Sequence, residues 1–324
     1  AEPLFRSERQ DQVVASEALG LTGAVTVNKF ILKSAKNMLT ILDGVLTTLT
    51  YIAVSFLLFF IGKIAYQLFH PRVKVGYELV ENDNLAFAFA HVGYFIGLLL
   101  AIGSVMLGES EGLVNDLIGI GIYGLLSIVL LNLSLIINDK IILSNFDLKK
   151  EIFDDKNVGT GIVEGANAIA TGLVVMGAIT GEGYGESGPI VNVLAYWILG
   201  QVILFVTSKI YNLMTSYDVH DHIERGNIAV AVGYSGAIIA IGNLINNALA
   251  HDFDSWIITI QDVSFNVIVG FAFLPIARFL TDKILLPGQK LTDEIVNQED
   301  PNVGAAIVEA FAYVGGSMLI VWAL

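Results

Sequence analysis

Long apolar runs alternate with short polar ones from about residue 44 to the end of the chain. Eight runs reach the ~20 mostly apolar residues a helix needs to cross a bilayer. They are 44–69, 85–107, 117–137, 158–180, 190–213, 228–249, 257–280 and 303–324, taken here as helices one to eight. A closed barrel is the other solution that satisfies every backbone group in lipid, but its strands are ~10 residues long and alternate in polarity. These runs are about twice that length and do not alternate. The pattern predicts an all-α, polytopic membrane protein with eight transmembrane helices.

Charge adds an orientation. Outside the N-terminal segment, every Lys and Arg sits on alternate connections: Lys63, Arg72 and Lys74; Lys140, Lys149, Lys150 and Lys156; Lys209 and Arg225; Arg278, Lys283 and Lys290. The other three connections carry Glu109 and Glu111, Glu182 and Glu186, and Asp252 and Asp254. Basic loops stay in the cytoplasm, so both termini are expected on the outer side of the membrane. Arg6, Arg9, Lys29, Lys33 and Lys36 run against a strict count of that kind. The stretch 28–43 has Ile31, Ala35, Met38, Leu39 and Leu42 on one helical face. That reads either as an amphipathic helix on the outer membrane surface or as one packed on the outer end of the bundle. The start, Ala1-Glu2-Pro3, fits a cleaved signal peptide, and equally a trimmed chain or one that has lost its methionine.

Composition agrees and excludes. Of 324 residues 55% are hydrophobic and 15% charged, with a mean hydropathy of +0.70, so most of the surface must face lipid. The absence of cysteine removes disulfides, thiolate metal sites and thiol nucleophiles. A net charge of −14 argues against nucleic acid as a partner. No metal, cofactor or enzymatic constellation is expected. Asp218, His220, Asp221 and His222 have metal-ligand character, but in an acidic loop they read as solvated.

The even-numbered helices open alike, with Asn84-Leu-Ala-Phe-Ala, Asn157-Val-Gly-Thr-Gly, Asn227-Ile-Ala-Val-Ala and Asn302-Val-Gly-Ala-Ala. An acid stands six residues before the first three asparagines (Glu78, Glu151, Asp221), and Glu294 eight before the fourth. Asparagine at a helix start caps free amides, and acids there complement the helix dipole. Lys63, Lys140, Lys209 and Lys283 close the odd helices. Each unit is therefore an odd helix, a basic-acidic loop and an even helix. Four such two-helix repeats all run the same way: 44–108, 109–181, 182–250 and 251–324, after a segment 1–43. They suggest a pseudo-fourfold or paired-pair bundle. The repeated acid-and-asparagine start followed by small residues resembles the bacterial inner-membrane family called domain of unknown function 350, over residues 44–324. That resemblance implies inner-membrane residence and supplies no activity.

Counted from each capping Asn, the seventh residue on is His91, Glu164, Tyr234 or Glu309. Ionisable groups within a bilayer are costly and mark ion, proton or substrate paths, or a hydrogen-bond network holding the repeats in register. They are expected to converge on a common interior, supported by Asn84, Asn157, Asn227, Asn302, Asn132 and Gln201. Small residues at other offsets, Gly93, Gly97, Ala166, Ala170, Gly236, Ala240 and Gly315, read as close helix contacts. Phe311 breaks this pattern, so the fourth unit packs differently or ends the array. Pro275 would kink helix seven.

The sequence thus leaves two functions in view. One is a protein passing or sensing a proton, cation or small solute through a polar interior. The other is a non-transporting scaffold or assembly subunit, tied to envelope stress. The expected partners are the lipid bilayer and either a second copy or other membrane or cytoplasmic proteins.

Overall fold

The computed structural model describes residues 2–71, 73–107, 110, 112–142, 147–181, 188–251 and 255–324, with side chains from residue 33 onward except 142 and 189. The outer-loop acids Glu109, Glu111, Glu182, Glu186, Asp252 and Asp254, the turn after Gly181, Arg72, and the side chains of Arg6, Arg9 and Lys29 lie outside that set.

Among the described residues every regular element is helical. The long ones are α1 (Glu2–Phe69), α2 (Leu85–Leu107), α3 (Leu113–Ile137), α4 (Val158–Thr180), α5 (Pro189–Met214), α6 (Ile228–Leu249), α7 (Trp256–Leu280) and α8 (Val303–Ala323). Among the described residues eight helices are long and apolar enough to cross a membrane, and many of their large apolar side chains are exposed. The protein is a multi-pass membrane protein.

The chain forms two compact units, residues 1–54 and 55–324. The first is a stretch of α1 that exposes Met38, Leu39, Ile41 and Leu42 alike. No turn interrupts α1 at Gly44. The separate amphipathic helix expected over 28–43 is instead continuous with α1, because a lone glycine costs a helix only ~1 kcal/mol and no proline adds to it. The second unit holds the last turns of α1 and all other helices.

Within the second unit the even helices form one layer. α2 packs on α4, α4 on α6 and α6 on α8. The contacts follow a rule of offsets from the capping Asn. Offset two meets offset four of the next even helix: a Cβ on Gly161 would strike the Ala86 backbone, and one on Gly159 would lie 3.1 Å from Ala231 Cβ. Offset nine meets offset eight: a Cβ on Gly93 would land on the Gly165 backbone, and one on Gly236 would lie 2.5 Å from Ala310 Cα. Offset thirteen meets offset fifteen, where Gly97 faces Gly172 and Ala170 faces Gly242. Lipid gives helices no hydrophobic drive to associate, so such backbone contact is what holds the row.

The result is an open row, not the fourfold or paired bundle expected above. Each even helix presents different faces to its two neighbours, which allows a ring or a row, and the exposed outward faces at both ends show that the row stays open. At one end Val92 and Leu99, offsets eight and fifteen of α2, are 55% and 55% exposed. At the other, Phe311 is 69% exposed. Its ring covers Gly315, whose missing side chain meets Phe311 and no other helix. Gly315 is therefore not a helix contact, and Gly316, which faces the Phe273 ring of α7, takes that role.

The odd helices form the second layer. α3 packs on α2 and α4, α5 on α4 and α6, and α7 on α6 and α8. Hydrogen bonds tie this layer together, from Trp197 Nε1 of α5 to Ser134 Oγ of α3 (2.8 Å) and between the Tyr196 hydroxyl and Thr259 Oγ1 of α7 (3.3 Å).

Candidate functional site

The starts of the even helices fix the geometry around the basic loops. Each capping Asn accepts from the amide three residues on: Phe87 (3.0 Å), Thr160 (3.3 Å), Val230 (3.0 Å) and Ala305 (3.0 Å). Its amide nitrogen turns the other way. Asn84 donates to Glu78 (2.9 Å), Asn157 to Glu151 (2.8 Å) and Asn302 to Glu294 (2.8 Å), so the acid of the motif anchors the cap. The same nitrogens also reach the next repeat, Asn84 to the Ile152 carbonyl (2.8 Å), Asn157 to Ile223 (2.7 Å) and Asn227 to Ile295 (2.8 Å). Asn302 belongs to the last repeat and is exposed. The residue before each cap takes a left-handed conformation in the first three repeats: Asp83 (φ 45°), Lys156 (φ 51°) and Gly226 (φ 81°). Proline is confined to φ near −65°, so Pro301 excludes that turn in the fourth, where two extra residues bring Glu294 onto Asn302 by another course.

One to two turns further on, the four offset-seven residues face the odd layer. They do not converge on one interior. They form two groups, one in each half of the chain, each assembled around a tyrosine of that half's first odd helix.

In the first half the tyrosine is Tyr66 of α1. Its ring stacks on His70 (4.4 Å) and meets His91 of α2 edge-on (4.7 Å). Phe87 and Phe95 close on His91 at 5.0 and 4.9 Å, and His91 Nδ1 has no hydrogen-bond partner among the described residues. Tyr66 and Glu164 of α4 line one cavity of about 190 Å³, together with Ala90, Leu135, Phe153 and Asp139. Glu164 is only 7% exposed, and the Asn138 side chain donates to its carboxylate. His70 lies just beyond the end of α1. Burial pushes its imidazole below the ordinary value, with Lys149 adding to the shift and the Tyr66 carbonyl and Asp139 opposing it.

In the second half the tyrosine is Tyr211 of α5. Tyr234 of α6 stands 5.5 Å from it and 6.1 Å from His220. Glu309 of α8 is fully buried. Its Oε1 accepts from Arg278 of α7 (2.5 Å) and from the Tyr313 hydroxyl (2.8 Å). Arg278 also donates to Thr292 (3.2 Å) and lies 5.9 Å from the Tyr217 ring centre. Gly233 makes room for Glu309, whose Oε2 a Cβ there would strike.

The other polar positions tie layers together. Asn132 donates to the Tyr94 hydroxyl (3.0 Å), which donates to the Gly62 carbonyl (3.0 Å). Gln201 donates to Thr171 (3.2 Å). Asp218 caps the short helix Val219–Glu224 by accepting from His220 and Asp221 (2.9 and 3.2 Å), and Asp221 pairs with Arg225 (2.9 Å). Sequence reasoning overlooked Tyr66, Tyr211, Asn138 and Arg278. The last was read as a loop cation, yet it stands five residues before Lys283, within α7.

Fold and site together define a two-layered membrane protein with two similar halves, each holding a buried carboxylate between its layers. The sequence profile of the Domain of Unknown Function (DUF350) matches the chain twice, over residues 40–179 and 186–324. The chain belongs to that family and carries its four-helix unit in tandem. It is similar to the UPF0719 transmembrane protein YshE of Bacillus subtilis (strain 168), with 28% identity over 108 residues, 33% of this chain and 76% of that protein. That relative is thus about as long as one of the two halves. No solved structure matches the chain.

Proposed function

We propose that this protein binds a proton or cation from the side of its basic loops and responds to it, as a sensor or as the first station of a transport path. In that reading the basic loops face the cytoplasm of a bacterial inner membrane and both termini face the periplasm. The charge asymmetry of the connections supports this orientation. The observation that carries the function is Glu164. It is a carboxylate within the span of α4, beside a cavity that also touches loop residues, and among the described residues no basic side chain pairs with it. A group of this kind, in lipid surroundings, is a functional candidate.

Further from the loops, some polar side chains of neighbouring helices bind one another, as in Asn243 with Ser317 (3.2 Å) and Gln201 with Thr171 (3.2 Å). That arrangement, with the tight even-helix row, favours sensing over free passage. It also lends weight to the second reading, a non-transporting scaffold. Proteoliposomes decide between them. Wild-type protein should give a cation- or pH-dependent response, in flux or in tryptophan fluorescence, and Glu164→Gln should lose that dependence with folding intact. A Glu164→Gln variant indistinguishable from wild type would leave the scaffold.

A further inference from the structure

The two halves are built to one plan, and comparing them position by position exposes one difference. Counting back from the lysines that close the odd helices, the fifth residue before Lys283 is Arg278 and the fifth before Lys140 is Leu135. Counting from the capping asparagines, Glu309 corresponds to Glu164 and Gly233 to Ala90. In the second half Arg278 supplies a guanidinium to Glu309 in a nest of Tyr211, Tyr217 and Tyr313. In the first half Leu135 stands in the place of that arginine, and it lines the cavity beside Glu164 along with Ala90. The chain itself therefore shows how this site holds an organic cation, on a carboxylate among aromatic rings.

We propose that the first-half cavity is a binding site for a small organic cation of the alkylammonium class, seated against Glu164 where Arg278 sits against Glu309. This rests on the cation-binding reading above and names its ligand class. The walls suit such a ligand. Tyr66, Phe69, Phe87 and Phe153 surround the cavity, and aromatic faces attract poorly hydrated cations. Inorganic cations need several converging oxygen ligands, and the carboxylates of this lining are Glu164 and Asp139 alone. The volume of about 190 Å³ exceeds the ~150 Å³ that accepts benzene in an engineered cavity, so a cation of choline's size fits. A second recess of about 590 Å³ shares Phe69, His70, Lys149 and Phe153 with it and continues it into the loop. The remaining charges in the lining are Asp139, Lys140 and Lys149, with His70 beside them. Both lysines are exposed and both act on Asp139, which leaves Glu164 for the ligand.

The test uses the full chain in nanodiscs, titrated with choline and with its uncharged isostere 3,3-dimethyl-1-butanol, and read by calorimetry and by thermal melting. Choline should bind saturably and raise the melting temperature, and the isostere should bind at least about tenfold more weakly, a difference of about 1.4 kcal/mol. Glu164→Gln should lose choline binding by a similar factor. Leu135→Arg should abolish it by supplying the cation from within, and should melt no lower than wild type. If Leu135→Arg does not fold, Ala90→Leu fills the same cavity from α2 and should abolish binding as well. Equal binding of the isostere, no saturable choline binding, or an undiminished signal in a folded Leu135→Arg or Ala90→Leu variant would overturn the proposal. If choline fails while Glu164→Gln still removes a proton or potassium response in proteoliposomes, the ligand class falls and the cation-binding reading stands. If both are silent, both fall.

Discussion

The pairing of Arg278 with Glu309 and the absence of such a pair at Glu164 predict unequal costs for apolar substitutions in the two halves. Arg278→Leu removes the only basic partner, among the described residues, of a carboxylate with no exposed surface. Breaking a buried ion pair by deleting one member costs ~3–5 kcal/mol, because the remaining charge is stranded, while replacing both members by apolar groups is often close to neutral. Arg278→Leu should therefore shift the folding equilibrium by about two to three and a half powers of ten, at about 1.4 kcal/mol each. Arg278→Leu with Glu309→Leu should recover most of that loss. The Tyr313 hydroxyl, which now donates to Glu309, loses its acceptor in the double variant and sets the part not recovered, ~1–3 kcal/mol. Among the described residues Glu164→Leu strands the Asn138 amide alone, a neutral group, and should cost ~1–3 kcal/mol. The assay is equilibrium unfolding in mixed micelles with rising SDS fraction, followed by tryptophan fluorescence. Equal stability of Arg278→Leu and wild type, or a double variant worse than the single, would refute the pairing and with it the likeness of the halves.

Other consequences can be checked separately. Gly165→Leu, placed against the Phe89 carbonyl and Gly93, should lose ~1–3 kcal/mol or more by overpacking, whereas Gly315→Leu should be close to silent in the same SDS titration. Asn157→Ala loses a cap worth ~0.5–2 kcal/mol together with its bonds into the next repeat, so it should destabilise more than Asn302→Ala, which loses the cap and the Glu294 bond alone. His70 is held below its ordinary value near 6.5, so the folded state favours the neutral ring. Its contribution to stability should be full above that value and decline as pH falls below it, and His70→Gln should flatten that part of the melting-temperature profile. A cysteine at Lys150 should label only from the cytoplasmic side of intact or inverted membranes, and one at Glu186 only from the other; labelling of both from one side contradicts the topology.

Much of the fold was legible because its signals are local. A capping Asn acts within three residues, so the starts at residues 85, 158, 228 and 303 follow from the sequence alone. The small-residue offsets marked the packing faces for a similar reason: backbone contact admits nothing larger. What stayed hidden depends on pairs distant in the chain. Offsets two and four can describe a closed ring or an open row, and only the angle between successive helices decides. The exposed Phe311 was the one hint of an end. The offset-seven residues were found, but not their partners, since Arg278 and Glu309 lie 31 residues apart on different helices. Tyr66 and Tyr211 had a usable signal, a tyrosine within a turn of Lys63 or Lys209 in the first odd helix of each half. That signal acquires meaning only once the four repeats are grouped as two halves.

The central claim is that Glu164 borders a space reached from the basic-loop side. The chain has no cysteine, so single cysteines report without a background. Cysteines at Glu164 and Leu135 should be modified by 2-(trimethylammonium)ethyl methanethiosulfonate added to inverted membrane vesicles, and choline should slow the reaction at Leu135. A cysteine at Ala237, wholly buried in α6, should stay unmodified. Failure of both cavity positions to react in folded protein, or faster reaction from the opposite side of the membrane, would contradict the account.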